Sequence, residues 1–335
     1  TGEYSPEAMS LLEEARRLHP ESEQIVALHQ KMGNYTRAIK VPVDYPTITK
    51  AIEEARPRDV IRVAPGTYNE SLIIDKPIRL EGSADGKTII QLPAKEAAMI
   101  TITAEAAGTR VSGFDLKHTG FDHGTDRYSG VTIQANDVSI TSCNVEHSAG
   151  HGIAVIDGAK AKITGCQITL CGWDGISVYG NNSQADITDV RCQGNLQNGV
   201  GFWLGGSGSV AGSRMLKNGL SGIVAMSKGT KVEIASNTCS SNREAGILVS
   251  DAVTASVTSN LCEKNLLSGI VARSKGTSVD LVNNVTKGNH EAGILTHLGV
   301  KIGKFENNKS SGNVSQQIWR DARLKESKQV PLNKN

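Results

Sequence analysis

A glycine recurs at Gly130, Gly152, Gly175, Gly199, Gly222, Gly246, Gly269 and Gly293, at intervals of 22 to 24 residues. After each comes an apolar residue, a free position and usually another apolar residue: GVTI, GIAV, GISV, GVGF, GIVA, GILV, GIVA, GILT. A fixed period in the low twenties with strand-like alternation marks a solenoid of stacked units, each burying its apolar face only against its neighbours. The same period governs the rest of each unit. A second strand is marked by Ile140, Ile163, Ile187, Val210, Ile234, Val257, Leu281 and Phe305. A third carries Val145, Ile168, Cys192, Met215, Cys239, Cys262, Thr286 and Ser310. Each turn of the solenoid therefore holds three short strands and three corners, and in-register stacking sets neighbouring turns ~4.8 Å apart.

Two corner columns are rich in asparagine. Asn237, Asn260, Asn284 and Asn308 form one, and Asn195, Asn218, Asn242, Asn265, Asn289 and Asn313 the other. Asparagine tolerates left-handed backbone angles and can bond along a stack, so these residues are read as structural. The six cysteines contain no CxxC and no zinc-finger spacing. Cys143/Cys166 and Cys239/Cys262 are each one period apart, and the expectation is buried small apolar side chains.

The pattern resembles the right-handed parallel β-helix of the pectin-lyase-like superfamily, in the manner of its carbohydrate-binding and sugar-hydrolase repeat domains. The resemblance covers about residues 41–313, and the stretch YPTITKAIEEARPRDVIRVAPGTYNESLIIDKPIRLEG is similar to the N-terminal cap and first coils of many members. It implies an all-β solenoid of about 11 coils. A cap helix at about 46–56 would present Ile48, Ile52 and Ala55 on one face and cover the open first coil, whose edge is otherwise unpaired. Residues 1–40 read as a helical hairpin extension that resembles a tetratricopeptide repeat, with Ala8, Leu11, Leu12, Ala15 and Leu18, then Ile25, Leu28 and Met32, at helical spacing. Residues 314–335 read as a C-terminal helix bearing Ile318 and Trp319, followed by a disordered tail. The superfamily holds lyases, hydrolases, esterases, epimerases and non-catalytic scaffolds, so the fold alone does not select a function.

The net charge of +2 gives no electrostatic case for a nucleic-acid partner. No apolar run approaches the ~20 residues of a membrane span. No signal-peptide pattern precedes the helical start, which fits a fragment or mature form and leaves the compartment open, extracytoplasmic if the ligand is a glycan.

One corner breaks the period. The step from third-strand marker to the next glycine-strand residue is 8 residues in most coils, as from Val145 to Ile153, but 15 from Leu116 to Val131. The loop 117–129, KHTGFDHGTDRYS, holds His118, Asp122, His123, Asp126, Arg127 and Tyr128. An insertion at one corner of a repeat commonly lies on a binding face. The fourth residue after each glycine should point outward, which sets Tyr179 and Trp203 on adjacent coils. The residue before each glycine contributes His151, Asp174 and Asn198, with Trp173 ahead of Asp174.

Aromatic faces stack on sugar rings, while carboxylates and histidine read hydroxyls or move protons. The expected site is therefore glycan-binding, with an acidic polysaccharide or oligosaccharide as partner. His151, Tyr179, Asp174, His123 and Arg127 are the catalytic candidates; Asp122, Asp126, Trp173, Asn198 and Trp203 are the binding ones. For a uronate lyase or epimerase, His151 or His123 would be the base, Arg127 the carboxylate clamp and Tyr179 the acid. Hydrolysis would need two carboxyl groups, Asp126 and Asp174. It is less favoured, because only Gly150-His151-Gly152 resembles a polygalacturonase signature and that family's other elements are absent. The Asp-Pro-His stretch of mannuronan epimerases is also missing. No cofactor is implied, although Asp122 and Asp126 could bridge a calcium ion.

A competing surface lies in the second position after each glycine. Val224, Leu248, Val271 and Leu295 form an aliphatic stripe that should face outward and require a cover, such as the C-terminal helix, a protein partner or a second copy in a homodimer. The alternative function is thus a non-catalytic scaffold. Residues 221–250 and 268–297 are near copies, as expected of a recent two-coil duplication.

Overall fold

A computed structural model describes residues 3–33, 36–94, 96–120, 127–297, 299–315 and 317–320. The chain winds into a parallel β-solenoid whose three sheets hold thirteen, eleven and eleven strands among the described residues. The columns read from the sequence are the pairing register. Val131, Ile153, Ile176, Val200, Ile223, Ile247, Ile270 and Ile294 are successive partners in the glycine sheet. Ile140, Ile163 and Ile187 begin the matching row of the second sheet, and Val145, Ile168 and Cys192 that of the third. Each row points inward, and together they form one continuous core running the length of the solenoid.

Close approach explains the recurring glycine. A β-carbon added to any of the seven glycines from Gly130 to Gly269 would lie 2.5–2.7 Å from the carbonyl oxygen of the next glycine in the ladder. No side chain fits there, so the corner before the glycine strand can stack only when that column is glycine.

Both asparagine columns are buried ladders. Asn242 is representative: its Oδ1 accepts from the N–H of Asn218 (3.0 Å) and from Asn218 Nδ2 (2.9 Å), while its Nδ2 donates to Asn265 Oδ1 (3.0 Å) and to the Met215 carbonyl (3.1 Å). The left-handed backbone lies one residue earlier than expected: Ser241 (φ 58°) precedes Asn242, and Ser236, Ser259 and Lys264 precede their asparagines in the same way. The asparagine contributes its amide, and the residue before it makes the bend. All six cysteines are buried free thiols.

At the N-terminus, α1 (Pro6–Leu18) is capped by Ser5, whose hydroxyl accepts from the Ala8 N–H at 3.2 Å. α2 (Glu23–Gly33) packs against it. Met9 and Leu12 are the buried side chains of α1, whereas Leu11, Leu18 and Leu28 are exposed, so the buried face is narrower than the helical spacing suggested. An Arg56–Glu13 ion pair (2.8 Å) ties α1 to the first coil. α3 (Ile48–Glu54) is the cap helix, and it buries Ile48, Ala51 and Ile52. Its first two N–H groups, at Ile48 and Thr49, donate to the Glu70 carboxylate at 3.0 and 2.7 Å, which satisfies orphan donors of the helix start.

Two expectations need correction. Residues Ile318–Arg320 form a strand paired with Ile294–Thr296, not a helix, because they continue the glycine-sheet ladder one coil further. The remainder of the C-terminal segment, 321–335, lies outside the described residues. The aliphatic stripe is also not an exposed surface. Val224, Leu248 and Val271 are 2%, 7% and 8% exposed, and Leu295 is half-buried. They pack on one another along the stack, with Ala245, Trp203 and Met226 beside them.

Candidate functional site

The corner before the glycine strand gathers the polar and aromatic residues. His151 and Asp174 occupy equivalent places on adjacent coils, because the Gly152 N–H bonds the Asp174 carbonyl (3.1 Å) and the strands beyond run in register. Asp174 is 1% exposed. Its Oδ1 accepts from the Asn198 N–H (3.0 Å) and Asn198 Nδ2 (2.8 Å), and its Oδ2 accepts from Trp203 Nε1 (3.0 Å). Asn198 passes the pattern on, accepting the Ser221 N–H at 3.0 Å. Three donors hold this carboxylate in a single orientation.

His151 faces Asp174 without bonding it: Nδ1 lies 3.9 Å from Oδ2, beyond hydrogen-bond range. That Nδ1 is buried and has no hydrogen-bond partner. The ring packs against Trp173, with centroids 4.8 Å apart and planes tilted by 55°. The Arg127 guanidinium lies over the same indole, 4.9 Å from its centroid, in cation–π contact. Burial lowers the His151 pKa, and the nearby Asp174 charge opposes that shift. Trp173 Nε1 is likewise buried and unpartnered.

Of the predicted residues, the structure therefore brings together Arg127, Trp173, His151, Asp174, Asn198 and Trp203. Trp203 is not a free platform. Its indole folds back over Gly201 to reach Asp174, and a β-carbon at 201 would lie 2.6 Å from Asp174 Oδ2 and would meet Trp203 Nε1. Gly201 is a site residue missed in the sequence; the signal was its being the one glycine in a column of Thr132, Ala154, Ser177, Val224, Leu248, Val271 and Leu295. Tyr179 is 49% exposed and pairs with Trp203 at the far end of the strand. It stands five residues beyond Asp174 on the same coil. Asp122, His123 and Asp126 lie outside the described residues.

His118, expected on the loop, lies on the strand Phe114–Thr119 and is a packing residue. Its Nδ1 accepts the Ala149 N–H (3.0 Å), which leaves Nε2–H to donate to the Ala97 carbonyl (3.0 Å). Burial lowers its pKa, and the geometry needs the neutral ring. Among the described residues no group of three or more His, Cys, Asp or Glu side chains could hold a metal ion. No helix of the described residues is long and apolar enough to cross a membrane.

Comparison with known proteins agrees with this architecture. The family model for the right-handed beta helix region matches residues 129–286 and 216–315, together more than half of the chain. The chain belongs to that family. No curated protein matches it by sequence. Among solved structures it is similar to the catalytic domain of a GH87 alpha-1,3-glucanase variant in complex with tetrasaccharides (TM-score 0.57, 13% identity, 86% of this chain and 67% of that one). It is also similar to pectate lyase Pel9A (0.52, 12%, 84% and 81%). A third is the A-module of the Azotobacter vinelandii mannuronan C-5 epimerase AlgE4 (0.57, 13%, 81% and 94%). At these identities the likeness is one of fold.

Proposed function

We propose that the protein binds an acidic polysaccharide across the first coils of the glycine sheet and abstracts the proton α to a uronate carboxylate, as a lyase or epimerase. The observation that carries this reading is the His151–Asp174 pair beside Arg127. With Nδ1 facing Asp174 and Nε2 not closed off, His151 can accept a proton at Nε2 while Asp174 stabilises the imidazolium that forms. The lowered pKa keeps the ring a free base near neutral pH. Arg127, on the loop leading into the sheet, is the cation suited to the substrate carboxylate and to the enolate that develops on it. In a lyase the enolate then collapses to a C4=C5 double bond as the C4–O bond breaks, and the departing oxygen takes a proton from the His151 imidazolium or from water; in an epimerase water reprotonates C5 from the opposite face.

Tyr179, half exposed beside Trp203 on the same sheet, offers a stacking platform for a neighbouring sugar. Hydrolysis is disfavoured because Asp174 is enclosed by three donors and cannot reach a glycosidic oxygen. The fold's occurrence in a pectate lyase, a mannuronan epimerase and a glucanase supports a glycan ligand. The scaffold reading loses its main support, since most of the aliphatic stripe is spent inside the protein.

The test is a panel of uronate polymers, assayed for unsaturated ends, new reducing ends and changed C5 configuration. Wild type should act on at least one polymer. His151→Gln should lower kcat by about 100-fold or more, the usual loss of a general base, and Tyr179→Ala should raise KM. Wild type and His151→Gln giving the same null result on every polymer would sink the reading.

A further inference from the structure

We infer that Trp203 is a positioning residue for the His151–Asp174 pair, seated by Gly201, and that its indole N–H occupies the Asp174 oxygen that His151 would otherwise engage. The inference rests on the proposed role of His151, but its geometry stands apart from any activity. Asp174 Oδ1 is committed to two donors of Asn198, so Oδ2 is the oxygen left for His151. Trp203 Nε1 donates to that oxygen at 3.0 Å, while His151 Nδ1 stops at 3.9 Å with no partner of its own. A buried nitrogen left unbonded this close to a carboxylate is costly, so a competing interaction must hold the pair apart. The indole does so by drawing Oδ2 towards the Trp203 coil and by neutralising part of its charge.

Gly201 makes this arrangement available. Its neighbours in the column, Ser177 and Val224, carry side chains, and any side chain at 201 would take the space of the indole edge. Among the described residues the charged groups around His151 are Asp174, on the next coil, and Arg127, which lies over the Trp173 ring. Asp174 is the one whose charge acts on the imidazole. If the indole N–H is removed, Oδ2 can turn to His151 Nδ1–H and the protonated ring gains a charge-assisted hydrogen bond.

The experiment is an NMR titration of the His151 ring in the full chain, assigned with His151→Gln. It is made on wild type, Trp203→Phe, Gly201→Ala, Asp174→Asn and the double variant Trp203→Phe/Asp174→Asn. Trp203→Phe and Gly201→Ala should each raise the His151 midpoint, by about one pH unit, and the double variant should titrate like Asp174→Asn alone. Gly201→Ala keeps the test open if Trp203→Phe fails to fold. A midpoint unchanged or lowered in a folded variant overturns the inference. So does an upward shift that persists without the Asp174 charge. These titrations need no substrate, so a failure of the proposed activity is read separately.

Discussion

Asp174 and Asn198 are joined twice, through the Asn198 N–H and its Nδ2, both bonded to the one oxygen Oδ1. The carboxylate is thus part of the wall of the solenoid as well as of the site. Asp174→Ala would leave three donors without partners in a buried corner. The expected loss is about 3–5 kcal/mol in urea denaturation. A loss below ~1 kcal/mol would mean that water replaces the carboxylate, and the corner would then be judged open.

The asparagine ladders should be sensitive to truncation along their length. Asn242→Ala removes bonds to Asn218, Asn265 and Met215, all buried, and should cost about 2–4 kcal/mol. Asn313 lies at the end of its column, where Gln317 Oε1 also accepts from it (3.0 Å). Asn313 Oδ1 accepts from the Asn289 N–H and Nδ2, so Asn313→Ala should cost about as much. A loss below ~1 kcal/mol at either position in thermal or chemical denaturation would contradict the ladder account.

The thiols should be inert in the folded protein. Burial pushes Cys143 and Cys171 up to about 12 and Cys166 up to about 11, and it raises Cys192 and Cys262 well above the ordinary thiol range. A thiolate reagent at pH 8 should label none of the cysteines in native protein and all six after denaturation. Rapid native labelling of any one would show that its coil opens.

Acid should destabilise the fold through two histidines. His118 and His151 both have folded-state pKa values below the ordinary 6.5, chiefly because they are buried. The unfolded chain therefore binds more protons between those folded values and 6.5, so stability is full above 6.5 and falls as the pH drops through that window. The melting temperature should decline from pH 7.5 to pH 5, and His118→Gln should flatten part of that decline. A melting temperature that rises on acidification would have the wrong sign.

Register was legible in the sequence because a parallel stack repeats its neighbours at fixed spacing, so Ile153 had to meet Ile176 and Cys239 had to meet Cys262. The asparagine columns were legible for the same reason. The site was legible in part. The interrupted corner before Val131 and the residues ahead of the glycines pointed to Arg127, Trp173, His151 and Asp174. Periodicity states which face a side chain leaves from but not where its far end goes. It could not show that the Trp203 indole doubles back over Gly201 to reach Asp174.

The sequence by itself determined the solenoid, its three-strand coil, its pairing register and the place where a loop enters, because each follows from spacing along the chain. Only the tertiary structure decided that Val224, Leu248 and Val271 are buried, that residues 318–320 add a strand, and that Trp203 rather than His151 bonds Asp174 Oδ2. Those outcomes depend on which side chains from different coils compete for the same space and the same hydrogen-bond acceptor, a contest that exists only once the coils are stacked.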